Sequence, residues 1–373
     1  MPIHTPLCDL FGIKHPVLLA PMAGVSGGAL AAEVSRAGGL GLIGGGYGDA
    51  DWLEREFHTA GDAQVGVGFI TWSLARQPNL LNLSLDRAPA AVMLSFGDFR
   101  PFLPRIRTRS TKLIVQVQTL GQARDAVEAG VDAIVAQGTE AGGHGGARST
   151  LPVVPAVVDV ANNIPVIAAG GVADGRGLAA ALALGASGVL CGTAFFASDE
   201  SLASDNAKRV AVSSSGGNTE RSSVFDVARG LDWPSGWNLR TMRNAFTRQW
   251  SADIDGLTRN LAAEQARFET AQVADDTDIA AVIVGEAADL VRFREPAGTT
   301  LRRMISQAEG SLAPHRPTCR TNHRGLKRCG NSEEAACAAR FRTRSTRRLT
   351  KCSSVAVISV GRSPAPRSPR ICL

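Results

Sequence analysis

The chain is short of the features that mark several protein classes. Seven of its 373 residues are cysteine, and five of these (Cys319, Cys329, Cys337, Cys352 and Cys372) lie beyond residue 312. Cys8 and Cys191 are too few for a disulfide framework and suggest a reducing, cytoplasmic setting. No apolar run approaches the ~20 residues of a membrane-crossing helix, so no membrane span is expected. The N-terminus has no basic region leading into an apolar core, and no signal peptide is expected. His4, His15 and His58 have no partner at ligand spacing. They read as surface or packing residues, and no metal site is expected. No Gly-x-Ser-x-Gly nucleophile motif is present, and Ser26 has no nearby base. No Gly-x-Gly-x-x-Gly follows a strand, which sets aside a Rossmann-type dinucleotide site.

Charge divides the chain. From residue 313 onward there are fourteen Lys/Arg and two Asp/Glu, so this tail carries +12 and residues 1–312 carry −6. The basic balance belongs to the tail, and nucleic acid is not expected as a partner of the body. The tail is rich in Arg, Ser, Pro, Thr and Cys without an apolar period. It reads as disordered or as an out-of-frame translation, in preference to a nucleic-acid-binding arm.

The body alternates apolar β-type runs with Ala/Leu-rich helical runs. Strands are expected at 17–22, 40–43, 64–71, 91–96, 112–117, 132–137, 165–169 and 187–191. Helices are expected at 28–36, 51–60, 121–129, 151–161 and 177–184. Eight strands, apolar on both faces and separated by helices, predict a TIM (β/α)8 barrel over residues 1–198. An open doubly wound sheet is the alternative, because the crossover after the fourth strand is weakly marked. Residues 199–312 predict a C-terminal helical extension, a cap at the barrel mouth rather than an independent core, with helices near 242–250, 257–270 and 300–312. Trp72, Trp233, Trp237 and Phe246 read as core or cap anchors.

In such barrels the working site lies at the C-terminal ends of the strands. The sixth strand runs into Gln137-Gly-Thr-Glu-Ala-Gly-Gly-His144-Gly-Gly146, where His144 can move a proton near neutral pH. Glu140 reads as a structural carboxylate bonding loop amides, with orientation of the imidazole as the alternative. Gly170-Gly171 and Gly192-Thr193 end the seventh and eighth strands, where barrels commonly hold a phosphate on backbone N–H groups. Pro21-Met22-Ala23 offers an apolar edge for one face of a planar ring. A phosphate site beside a ring site suggests flavin mononucleotide (FMN).

Taken in order, Pro21-Met22-Ala23-Gly24-Val25-Ser26, Ala37-Gly-Gly-Leu-Gly41, the 137–146 loop, Ala169-Gly-Gly-Val-Ala-Asp174 and Gly192-Thr193 resemble the nitronate monooxygenases, formerly called 2-nitropropane dioxygenases. The block Val224-Phe-Asp226…Arg229-Gly230…Trp233-Pro234 looks like the extension of one branch of that family. The resemblance covers roughly residues 1–312. It implies an FMN-dependent oxidoreductase that oxidises alkyl nitronates, and in some members nitroalkanes, with O2 to carbonyl compounds and nitrite. His144 matches the family's active-site histidine, which takes or holds the proton α to the nitro group. Pro21, Met22 and Ala23 match the segment beside the isoalloxazine, and Gln116 and Gln137 match polar flavin contacts. Gly142 matches a backbone contact in the histidine loop, and Gly170, Gly171, Gly192 and Thr193 match the phosphate clamp. Gly68-Phe-Ile-Thr71 departs from the Asn-containing third strand of some members.

Two other readings stand beside this one. An FMN-dependent enoyl-acyl-carrier-protein reductase shares the barrel and a closely similar histidine loop. A non-catalytic flavin-binding barrel is the reading from a different class. Assembly as a homo-oligomer is left open by the pattern.

Overall fold

The computed structural model describes residues 2–313, and the basic tail lies outside them. Each of the eight apolar runs becomes a strand whose side chains are buried on both faces, as in parallel sheets covered by helices. In chain order these are β1 (Val17–Leu19), β2 (Gly41–Gly44), β3 (Val65–Ile70), β4 (Ala91–Ser95), β5 (Lys112–Val117) and β6 (Ala133–Gln137). A short β7 (Gly143–Gly145) intervenes before β8 (Val166–Ala169) and β9 (Gly188–Cys191). All but β7 form one parallel sheet in the order β1-β9-β8-β6-β5-β4-β3-β2. The ring closes where Leu18 bridges Leu40 and the Leu19 N–H donates to the Leu40 carbonyl at 3.0 Å. The expected (β/α)8 barrel is therefore what forms, and the open sheet is excluded.

Two apolar layers hold it together. Inside the barrel, Leu18, Leu42, Met93, Ile114, Val135, Ile167 and Leu190 pack on one another. Leu7, Cys8 and Phe11 of a helix at Pro6–Phe11 join this cluster. The sequence pattern did not predict that helix. Outside, Leu19, Ile43, Val67, Leu94, Val115 and Ile134 meet Leu30, Val34, Leu53, Leu81, Val154 and Leu178 of the surrounding helices. Each such side chain contributes about 1.5–3 kcal/mol by leaving water. The poorly marked crossover after β4 is a 3-10 turn (Arg100–Phe102) running into a five-residue helix (Leu103–Arg107). Pro101 and Pro104 sit in the first turns of these elements, so no sustained helical period exists there to be read.

The extension is helical, as expected, but it also carries two strands. β10 (Thr219–Ser222) and β11 (Asn238–Met242) pair antiparallel. β11 then pairs with β7 of the histidine loop, with Leu239 opposite His144. Phe225, Phe246, Leu257 and Phe268 form a separate apolar cluster beneath these strands. The helix expected over 257–270 is broken at Asn260 into Ile254–Arg259 and Leu261–Val273. The last helix, Ala297–Leu312, packs Leu301, Met304 and Ile305 back onto the barrel's outer layer. Met1–Pro314 form one compact unit, so barrel and extension belong to a single body.

Candidate active site

One pocket opens at the C-terminal ends of the strands. Pro21, Met22, Ala23, Gln116, Gln137, Gly142, His144, Gly170, Gly171, Gly192 and Thr193 all line it. Every residue that the resemblance assigned to the site is thus brought together. The space between the walls, open mouth included, is about 1240 Å³.

The apolar edge is a braced turn. Ser26 Oγ accepts the Met22 N–H at 2.7 Å, and the Ser26 N–H donates back to the Met22 carbonyl at 2.9 Å. Ser26 therefore has a structural task. Gly68 lets Pro21 lie across the end of β3, because a Cβ at Gly68 would fall 2.2 Å from Pro21 Cγ. The polar side holds Gln116 and Gln137, backed by Gln118. Gln137 Oε1 accepts from Gln116 Nε2 at 3.2 Å and from Gln118 Nε2 at 2.9 Å. Gln137 Nε2 donates to the His144 carbonyl at 3.0 Å, tying this network to the histidine loop.

The opposite end is built of backbone. Gly170 and Gly171 adopt φ of 100° and 74°, a left-handed backbone that side chains other than glycine rarely take. Among the described residues, no acceptor takes the N–H groups of Gly171, Gly192 or Thr193. These unpaired donors at neighbouring strand ends fit an anionic group such as a phosphate. Thr193 Oγ1 accepts the Gly285 N–H at 2.9 Å, so its side chain is committed to the extension. The residues present therefore fit the phosphate of a flavin.

His144 sits over this pocket on β7. Its Nε2 lies 3.0 Å from both carboxylate oxygens of Asp226. Both side chains are buried, at 6% and 5% exposure. A carboxylate only accepts, so Nε2 carries the hydrogen and Nδ1 keeps the lone pair. Burial pushes the imidazole below its ordinary pKa, Asp226 pulls it back up, and Arg229 and Arg221 lower it further. The net shift is downward, which leaves the imidazole neutral at pH 7 and ready to accept a proton.

Aromatic side chains fix the ring. Trp233 stacks on it with ring centres 3.3 Å apart and planes 10° apart. Trp233 Nε1 donates to Tyr47 Oη at 3.0 Å. Phe96 meets the imidazole edge-on at 6.3 Å from a backbone with φ 64°. That conformation costs about 1–3 kcal/mol in a residue with a side chain and recurs at functional sites. Trp233 was expected to be an anchor; it is one, but its anchoring surface is the imidazole itself.

Glu140 bonds the loop rather than the imidazole. Its carboxylate accepts the Thr150 N–H and hydroxyl, at 2.9 Å and 2.7 Å. Arg221 holds the loop from outside by donating to the carbonyls of Thr139, Ala141, Gly143 and Asn238. Burial lowers its pKa to about 10, so it stays charged at neutral pH. Arg221 and Phe96 carried no local motif. The spacing of Asp226 within the Val224–Trp233 block was visible, but its pairing across 82 residues was not.

A closed barrel with a backbone anion cradle at its mouth and a carboxylate-tethered imidazole above it belongs to the barrel enzymes. Comparison with known proteins narrows the class. The nitronate monooxygenase family model matches residues 4–64 and 72–306, and the chain belongs to that family of oxidoreductases. It is 34% identical over 332 residues to the nitronate monooxygenase npaC of Metarhizium robertsii, covering 80% of this chain and 92% of the relative. Among solved structures it is similar to FabK from Thermotoga maritima, with TM-score 0.71, 30% identity, and 83% and 97% of the two chains covered. A nitroalkane oxidase from Streptomyces ansochromogenes matches with TM-score 0.69 and 29% identity, covering 82% and 99%.

Proposed function

We propose that the protein is an FMN-dependent nitronate monooxygenase, oxidising alkyl nitronates, and nitroalkanes after loss of the α-proton, with O2 to carbonyl compounds and nitrite. The observation that carries this reading is the meeting of unpaired backbone donors and a neutral, tethered imidazole in one pocket. The family membership and the likeness to a nitroalkane oxidase support it. When bound, FMN accepts the substrate's electrons and passes them to O2.

In this reading the barrel, residues 1–198, holds the cofactor. The N–H groups of Gly171, Gly192 and Thr193 take the phosphate, Gly142, Gly170 and the glutamines line the rest, and Pro21, Met22 and Ala23 face the ring. The histidine loop of the barrel supplies the base, and the extension, residues 199–312, supplies the side chains that hold it. Nδ1 of His144 removes the proton α to the nitro group, and Asp226 steadies the positive charge the imidazole gains. An imidazole held neutral in this way is free to take the proton of a carbon acid. Trp233, Phe96 and Tyr47 exclude water from the imidazole. Among the described residues Cys8 and Cys191 are free and buried, which suits a reducing, cytoplasmic setting. Among the described residues no helix is long and apolar enough to cross a membrane.

The purified protein is expected to be yellow, to release FMN on denaturation, and to form nitrite from a panel of alkyl nitronates. A colourless, folded protein that FMN cannot reconstitute contradicts the proposal. In the same sample, anaerobic bleaching by NAD(P)H but not by nitronate would instead favour the enoyl-acyl-carrier-protein reductase. Flavin loading without turnover of either would favour a non-catalytic barrel.

A further inference from the structure

The substrate side of the pocket is poor in charge. With the imidazole neutral, Arg229 is the charged side chain among the described residues that line it. It follows directly on the helix Val224–Ala228, which also carries Asp226. One turn therefore delivers a carboxylate to the imidazole and a guanidinium to the space beside it. Both oxygens of Asp226 face His144, and no carboxylate among the described residues lies within 4.0 Å of the Arg229 guanidinium. Its central carbon instead lies 5.3 Å from the centre of the Tyr47 ring. Phe96, Trp233, Ile70 and Leu239 line the same pocket and offer a cation no counter-charge. A half-buried guanidinium without an acid, facing a pocket, is arranged to receive an anion.

We propose that Arg229 recognises the substrate's negative charge by taking the two oxygens of the nitronate group beside His144. This rests on the nitronate reading and specifies how that site tells its substrate from other small molecules. A nitronate spreads its charge over two coplanar oxygens, and a guanidinium presents two parallel N–H groups in one plane, so the pair matches as a carboxylate does. With a neutral nitroalkane the same charge appears only as the α-proton leaves for the imidazole. Arg229 then acts on the developing anion rather than on the ground state. The two substrates should therefore respond differently to loss of the guanidinium.

The test uses full-length holoprotein and the variants Arg229→Met, Arg229→Gln and Arg229→Lys. With preformed propyl-2-nitronate, the Met and Gln variants are expected to raise KM about 10- to 100-fold with a much smaller change in kcat, and Lys to restore part of the loss. With neutral 2-nitropropane, kcat should fall and KM should hardly move. A second readout does not need turnover. Nitrate, a planar oxyanion with no α-carbon, is titrated by calorimetry, and its affinity should weaken at least tenfold in the uncharged variants. Gln provides a second uncharged variant if Met does not fold. Nitronate KM and nitrate affinity both unchanged within twofold overturn the proposal. Nitrate binding that depends on Arg229 in a protein with no nitronate turnover keeps the anion site while removing the proposed function. A wild-type protein that neither turns over nitronate nor binds nitrate overturns both.

Discussion

The two sides of the pocket are made by different means. The barrel side is mostly backbone: glycines in left-handed conformations, unpaired N–H groups, and a turn braced by Ser26. The extension side is made of side chains that reach across the fold. Asp226 meets His144, Trp233 stacks on it, Arg221 gathers the carbonyls of its loop, and β11 pairs with its strand. A backbone cradle recognises a fixed ligand shape and tolerates little substitution. A side-chain roof sets proton affinity and can be retuned one residue at a time. The comparison suggests that cofactor binding and proton transfer are separable in this protein.

The largest expected effect breaks the barrel side. Gly170→Val puts a Cβ within 2.8 Å of the Gly138 carbonyl and 2.9 Å of Thr150 Oγ1, at φ 100°. Strain and overpacking of about 3 kcal/mol correspond to roughly 10²-fold weaker FMN binding. Flavin content and FMN titration check this, and a thermal melt separates it from unfolding. On the extension side, Asp226→Asn should leave FMN in place and lower nitroalkane turnover about 30-fold, within the contribution of a general base. Losing the carboxylate removes what holds the imidazole pKa up, so the acid limb of the kcat/KM profile should move to lower pH. Trp233→Leu should cost less, about tenfold, and move the same limb the other way. Water reaching the imidazole relieves the burial that depresses its pKa. Opposite movements of one pH limb, with FMN affinity constant, would sharpen the division between the two sides. The same direction in both variants would break it. The smallest effect is expected from ending the chain at residue 313. The buried Leu301, Met304, Ile305 and Ala308 of the last helix all remain, so melting temperature and activity should be unchanged.

The same division explains what could be read from the sequence. Parallel strands buried on both faces and glycine turns at their ends are local patterns, so the barrel was legible to within about three residues at each element's ends. β5 spans Lys112–Val117, as expected from the apolar run alone. The extension's helices were legible, but β10 and β11 were not. Thr219–Ser222 is polar, and its pairing depends on a partner twenty residues away. His144 stood out because an imidazole among glycines is unusual. Its tether was hidden, because Asp226 and the imidazole meet only after the chain has closed the barrel. Trp233 was visible as a large anchor, but no local pattern says that the surface it packs on is the His144 imidazole. Phe96 acquires its left-handed backbone from the turn after β4 and carries no sequence signal for it.

The most direct test of the division is anaerobic flavin reduction in His144→Ala, with neutral nitroalkane and its preformed nitronate compared in one stopped-flow experiment. FMN occupancy should match wild type. Reduction by nitroalkane should fall about 10²- to 10⁴-fold, while reduction by nitronate, which needs no proton removed, should fall far less. Equal losses with both substrates, or loss of FMN itself, would contradict the account.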